Sequence, residues 1–317
     1  MKDNQASFTA MMVAYMRAYH SMHDTSKIFD DFLAYNLIPE EKRTIIKQHL
    51  VEHYLNLNKE LNDSKHTTLL SDQITTSTHF MQAINNVICR ARYTEETLEK
   101  AVRQGVKQYV ILGAGMDTFA FRRPEMMEHL EVFEVDHPAT QEFKLLRIAQ
   151  LGWKHPAKLH FVPIDFTKES LVTALTRSSS YNSNVKSFFS WFGVTPYLTQ
   201  EEVFATLRSI TEVAPVDSTI VFDYFDTDAI APEKLSSQMQ KTLEFLQKID
   251  EQLKTDGFNP SRLAENLTTL GFCLLENLSP ADIEECYLQE RPDGHLEYVH
   301  FACAVIDNQA KIYSPAD

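Results

Sequence analysis

The chain has 317 residues, 30 Lys+Arg against 44 Asp+Glu and a formal net charge of -14. Such an acidic balance argues against non-specific binding to nucleic acid or to an anionic membrane. A hydrophobic content of 44% with 23% charged residues is that of an ordinary globular chain able to bury a large core. Cys89, Cys273, Cys286 and Cys303 have no metal-type spacing and read as reduced thiols of a cytoplasmic protein. The first twenty residues lack the charged-then-apolar design of a signal peptide, and no apolar run approaches membrane-spanning length.

Residues 8–106 read as helical, with Met11, Met12, Ala14, Tyr15 and Ala18 near helical spacing, then Ile28, Phe29, Phe32 and Leu33. Pro39 suits the first turn of a helix through Ile45, Ile46, Leu50 and Tyr54, and another helix is expected over 76–90. This lead-in is expected to cap the C-terminal edge of a sheet, with the domain boundary at 106/107. From residue 107 the pattern alternates strand and helix, as in a parallel sheet covered on both faces. Strands are expected at 109–112, 131–135, 159–162, 187–192 and 219–224, with helices at 138–151, 168–177 and 199–213. Thr199 and Glu202 form a capping box for the last of these. A helix over 231–255 reads as an insertion (229–257) after the fifth strand, and Asn259-Pro260 as the start of a further helix. Two closing strands, 272–275 and an antiparallel 299–305, make seven in all.

The chemistry concentrates in Gln108–Leu112 and the residues just beyond it. This apolar strand ends in Gly113-Ala114-Gly115, and residues 116–123 open a helix that Asp117 or Thr118 can cap. Strand, glycine turn and helix let a nucleotide-like ligand approach bare backbone. Glu134 and Asp136 lie 134 − 113 = 21 and 136 − 113 = 23 positions beyond Gly113, the distance at which an acid reaches the hydroxyls of a ribose. Alternation puts both on one face, with Asp136 at the tip. Asp165 and Phe166 end the third strand, suited to an adenine, though Asp165 is equally suited to cap the next helix. Thr118 stands where a dinucleotide fingerprint has its third glycine, which disfavours a nicotinamide-dependent oxidoreductase. S-adenosyl-L-methionine has no phosphate and needs a partner for its amino-acid end; Arg90 and Arg92 are the candidates. Tyr197, Asp223 and Tyr224 at strand tips, with Tyr19 and His20 from the lead-in, are candidate acceptor-pocket residues. His137 follows the ribose acid and reads as part of its turn.

In order along the chain stand Thr9–Ala14 with Arg17-Ala18, Phe29–Ala34, Arg90-Ala91-Arg92-Tyr93, ILGAGMDTFAFR, FEVDHP and WFGVTPYLT. This series resembles the leucine carboxyl methyltransferase family of class I S-adenosylmethionine-dependent methyltransferases, in detail its bacterial small-molecule O-methyltransferase branch. The resemblance runs over residues 8–305. It implies an α/β fold with a seven-stranded, mostly parallel Rossmann-like sheet and S-adenosyl-L-methionine as cofactor. Arg92, with Arg90 as second candidate, is then expected on the cofactor carboxylate. Gly113, Ala114 and Gly115 pass under its methionine part, Asp136 with His137 lies at the ribose, and Asp165 with Phe166 at the adenine. Trp191 and Phe192 flank the cofactor, and Arg17 reaches cofactor or substrate. Where the family usually has WEGV, this chain has Phe192 in place of the acid; an aromatic face there attracts a cation or lines an apolar pocket. The expected activity is methylation of a hydroxyl or carboxylate on a small organic acceptor, without metal, nucleic acid or membrane. The alternatives are a protein C-terminal carboxylate as acceptor and a non-catalytic relative that kept the fold.

Overall fold

The computed structural model describes residues 6–57, 78–166, 168–249, 251–291 and 295–307. Its framework is one seven-stranded sheet in the order β3-β2-β1-β4-β5-β7-β6. The strands are β1 Gln108–Leu112, β2 Glu131–Asp136, β3 Leu159–Pro163, β4 Ser187–Trp191, β5 Thr219–Phe225, β6 Phe272–Leu278 and β7 Val299–Ile306. The first five are parallel, and β7 runs antiparallel to both β5 and β6. The strand order reverses between β1 and β4, which opens a crevice beyond their carboxyl ends.

Alternation along each strand divides the core in two. Tyr109 and Ile111 of β1 face one layer with Val132, Phe188, Val221 and Phe301. Val110 and Leu112 face the other with Phe133, Phe189, Trp191 and Phe222. The lead-in helices α1 Phe8–His23, α2 Ala34–Leu37, α3 Glu40–Leu57 and α4 Thr78–Arg103 join the first layer, so lead-in and sheet share a core. Short α5 Phe119–Arg122 and α6 Pro124–Met127, then α7 Pro138–Gln150, also lie there. Helices α8 Leu171–Arg177, α9 Gln200–Val213 and, after α10 Thr227–Ile230 and α11 Ser237–Lys248, α12 Leu263–Thr269 complete the chain order. Of these, α8, α9 and α12 cover the second face, and α13 Pro280–Tyr287 packs on the first.

Several element ends differ from expectation for local reasons. The capping box of Thr199 and Glu202 starts α9 as expected. The expected 231–255 helix is only α11, started by the Ser236 side chain accepting from the Met239 amide. Asn259 folds a turn instead, accepting from the Ser261 amide at 3.0 Å, and α12 begins at Leu263. The expected 76–90 helix continues to Arg103 as α4, because Tyr93, Leu98 and Ala101 keep burying apolar surface. Residues 76–77 and the Tyr54 side chain lie outside the described residues.

One polar pair sits wholly inside the first layer. Lys144 of α7 and Glu134 of β2, each 1% exposed, meet at 2.5 Å. Gln141, one turn earlier, donates to the Glu134 and Val162 carbonyls at 2.7 and 3.1 Å. Together they clamp α7 across β2 and β3. Glu134 is thereby taken by Lys144, leaving the tip residue Asp136 for the crevice. Removing one partner of a buried pair strands a charge, at a cost of about 3–5 kcal/mol. Lys144→Met is therefore expected to lower the urea midpoint strongly, and adding Glu134→Leu to recover most of the loss. Equal midpoints for wild type and Lys144→Met would show the pair to be unimportant.

Candidate active site

The β1 strand ends in a turn that only glycine suits. Gly113 has φ +73° and Gly115 φ +49°, a left-handed backbone that L side chains rarely adopt. Space excludes a side chain as well: a Cβ on Gly113 would lie 2.3 Å from Val194 Cγ2, and one on Gly115 2.9 Å from the Ala10 Cβ. The Gly113 and Ala114 amides both donate to the Val135 carbonyl, at 2.8 and 3.2 Å, so the turn is tied to β2. Asp136 at the β2 tip completes the tie, accepting from the Gly115 amide at Oδ2 and from the His137 amide at Oδ1. Burial pushes the Asp136 carboxyl above its ordinary range, opposed by these two amide bonds. His137 serves its own turn, with Nδ1 accepting from the Ala139 amide at the start of α7.

Asp165 and Phe166 follow β3 and line the same cavity. Asp165 does not cap α8, whose N-cap is Ser170. Its carboxylate meets Lys168 at 2.7 Å, and its carbonyl accepts the Lys168 and Glu169 amides. Asp117 accepts from the Phe119 amide at 2.7 Å, while Thr118, at the N-cap position, donates its hydroxyl to Asp31.

The two arginines of α4 separate. At about 100° per residue, residues two apart face nearly opposite ways. Arg90 lines the cavity and its Nη2 lies 2.5 Å from Asp223. Asp223 is fully buried and also accepts from the Gly193 amide at 2.8 Å. Burial raises the Asp223 carboxyl, with Arg90 pulling the other way. Arg90 Nε is buried and has no hydrogen-bond partner among the described residues. Arg92, in contrast, is 49% exposed on the outer face and pairs with Glu96 at 2.6 Å. The expectation for Arg92 is corrected: of these two arginines, Arg90 is the one that lines the cavity.

Five more expectations are corrected by strand alternation or local bonding. Trp191 points into the second layer, fully buried, while its neighbour Phe192 lines the cavity, edge-on to Phe301 at 5.3 Å. Tyr224 also lies in the second layer, donating to Asn277 and stacked on His300. Asp223 stands behind Arg90 rather than at the cavity. His20 is buried in α1, with Nδ1 bonded to Asp24 and Nε2 accepting the Ile28 and Phe29 amides. Tyr19 packs on His23 and Phe80. Tyr197 and Arg17 do line the cavity.

Arg17 belongs to a network that sequence reasoning missed. Its Nε donates to Asp31 and its Nη2 to the Met116 carbonyl, both at 2.8 Å. Asp31, 1% exposed, also accepts from Thr118 at 2.7 Å and from the Ala34 amide at 3.1 Å. Arg122 lies across the Phe29 ring at 4.5 Å and binds Glu95. The signal for Asp31 lay in the Phe29–Ala34 segment, whose chemistry had no assigned role.

The cavity so framed measures about 1170 Å³ and takes its walls from the glycine turn, the β2 and β3 tips, α1, α4 and the segment around α11. Residues 10–211 match the family model "Leucine carboxyl methyltransferase". The chain belongs to the leucine carboxyl methyltransferase family. YktD of Bacillus subtilis (strain 168), named as an S-adenosyl-L-methionine-dependent methyltransferase, is 36% identical over 307 residues, covering 96% of this chain and 99% of its own. A Mycobacterium marinum protein similarly named is 30% identical over 163 residues, 51% of this chain and 53% of that one. In fold, a DUF574 family protein from Streptomyces avermitilis superposes with TM-score 0.53 at 11% identity, covering 81% of this chain and 96% of that one. This family member is thus an S-adenosyl-L-methionine-dependent methyltransferase. Its residues fit that cofactor: the turn leaves no room for a Cβ, Asp136 closes on it, and Arg90 keeps an unpartnered donor. Among the described residues no helix is long and apolar enough to cross a membrane.

His20 gives the enzyme a pH dependence of known sign. Burial lowers its pKa below 6.5, against the pull of Asp24, and a ring accepting two amides must stay neutral. The unfolded chain then binds more protons below about pH 6.5, so stability falls as pH falls; buried His300 acts in the same direction. Buried Glu134, its carboxyl raised to about 7, acts in the opposite direction over the same range, so the contribution of His20 is read as a difference. In thermal melts between about pH 7.5 and 5.5 the midpoint of wild type should fall relative to that of His20→Gln. An identical slope in the variant would contradict this.

Proposed function

We propose that the enzyme methylates a hydroxyl or carboxylate oxygen of a small, largely apolar organic acceptor. What supports this reading is the cavity. At about 1170 Å³ it exceeds the ~300–1,000 Å³ of an ordinary small-molecule site, which suits two ligands side by side. Its walls beyond the glycine turn carry Met16, Phe80, Phe192, Phe225, Phe245 and Tyr298, a lining for an apolar or aromatic body.

In this reading Arg90 binds the carboxylate of S-adenosyl-L-methionine, Gly113 and Gly115 admit its methionine part, Asp136 binds the ribose, and Asp165 with Phe166 holds the adenine. The cofactor supplies a methyl group already activated by its bond to a positive sulfur. The chain's task is to orient the acceptor oxygen and exclude water, an alignment that supplies roughly 7–11 kcal/mol. Arg17 fixes α1 over the turn through the Met116 carbonyl, so the first helix orients the acceptor.

The family's name raises a second acceptor, the C-terminal carboxylate of a protein. The two readings separate in one assay, which follows S-adenosylhomocysteine formation with a panel of hydroxy- and carboxy-arenes and with a peptide ending in leucine. Turnover of panel members above the peptide is expected. Turnover of the peptide alone would overturn the small-acceptor reading.

A further inference from the structure

Three walls of the cavity meet at a polar cluster made by Thr9, Tyr197 and Glu251. Thr9 is in α1, Tyr197 in the 3₁₀ turn Thr195–Tyr197 after β4, and Glu251 in the segment after α11. The Thr9 hydroxyl donates to Glu251 Oε1 at 3.1 Å, across 242 residues of sequence. The Lys254 and Thr255 amides donate to the Pro196 carbonyl at 3.0 and 3.2 Å, docking the Glu251 segment onto the turn that carries Tyr197. Two of its members are close in sequence to the residues that abut the glycine turn. Ala10, next to Thr9, abuts Gly115, and Val194, three residues before Tyr197, abuts Gly113.

We propose that Glu251 is the catalytic base for a hydroxyl acceptor, and that the enzyme therefore methylates a phenol-type or other acidic hydroxyl rather than a carboxylate. The inference rests on the small-acceptor reading above and narrows it. An acceptor carboxylate beside Glu251 would face a like charge in a partly desolvated cavity, where repulsion is weakly screened. Of the cations nearby, Lys254 of the same segment is exposed, and Arg90, whose charge reaches Tyr197, is already paired with Asp223. A neutral hydroxyl instead donates to Glu251. Its proton passes to the Glu251 carboxylate as its oxygen bonds to the methyl carbon, and the methyl–sulfur bond breaks with its electron pair left on sulfur. Tyr197 is no rival base: burial pushes its hydroxyl up to about 12, with the Glu251 charge acting the same way. It remains a donor that orients the acceptor oxygen.

The matched probes 2-naphthol and 2-naphthoate, differing only in the acceptor group, test this in two ways. In the presence of S-adenosylhomocysteine, wild type should bind 2-naphthol more tightly than 2-naphthoate in a fluorescence titration. Glu251→Gln removes the charge and keeps the shape, so it should tighten 2-naphthoate about tenfold. With S-adenosylmethionine, transfer to 2-naphthol should fall about 10²–10⁴-fold in Glu251→Gln and return in part in Glu251→Asp. Calorimetric binding of S-adenosylhomocysteine by Glu251→Gln at the wild-type affinity shows the variant to be folded. The proposal is overturned if wild type binds 2-naphthoate as well as 2-naphthol, binds neither, or methylates 2-naphthoate preferentially, and equally if Glu251→Gln transfers to 2-naphthol at the wild-type rate. Preferential methylation of 2-naphthoate would leave the small-acceptor reading standing. Loss of S-adenosylhomocysteine binding by wild type would sink both.

Discussion

The left-handed turn at Gly113–Gly115 is the constraint on which the rest of this structure is hung. It leaves β1 at the point where the strand order reverses, and its amides are bound to the Val135 carbonyl and to Asp136. Both neighbours of the turn close on its missing side chains, Val194 against Gly113 and Ala10 against Gly115. A backbone stripped of Cβ atoms therefore performs two tasks. It lets a ligand approach the strand end, and it lets the first helix and the loop after β4 come within contact of it. The position of α1 follows from this contact and from Arg17, which grips the Met116 carbonyl while paired to buried Asp31.

Charges inside the molecule are arranged around the same edge. Glu134 is neutralised by Lys144 beneath α7, Asp223 by Arg90 beneath the cavity, and Asp31 by Arg17 beside the turn. Each pair spans separate elements, and the first two leave neighbouring groups turned toward the cavity: Asp136 beyond Glu134, Phe192 and Gly193 before Asp223. Buried pairs contribute less to net stability than their short distances suggest, since desolvation offsets attraction. Their value here is orientation. They hold the strand tips and the two covering helices in one register, so the cavity is formed before a ligand arrives.

Much of this was legible in the sequence, for identifiable reasons. The five parallel strands are continuous apolar runs because both faces are buried, and the glycine turn with an acid 23 positions on (136 − 113) is a pattern set by backbone geometry. Side-chain direction was harder. Arg90 and Arg92 are equivalent in composition, and only the packing of α4 on the sheet says which faces inward. Trp191 and Tyr224 stand at strand tips, yet the period of two sends them to the second layer. His20 read as a candidate for the acceptor pocket, whereas two amides of the following loop take its acceptor nitrogen. Asp31 and Glu251 draw their meaning from partners distant in sequence, Thr118 and Thr9, which no local pattern announces.

The most direct test of the central claim is calorimetric titration with S-adenosylhomocysteine of wild type, Asp136→Asn and Arg92→Ala. Micromolar binding is expected of wild type, at least tenfold weaker binding of Asp136→Asn, about 1.4 kcal/mol, and wild-type affinity of Arg92→Ala. Unchanged affinity in Asp136→Asn, or loss of binding in Arg92→Ala, would contradict the placement of the cofactor on the glycine turn beneath Arg90.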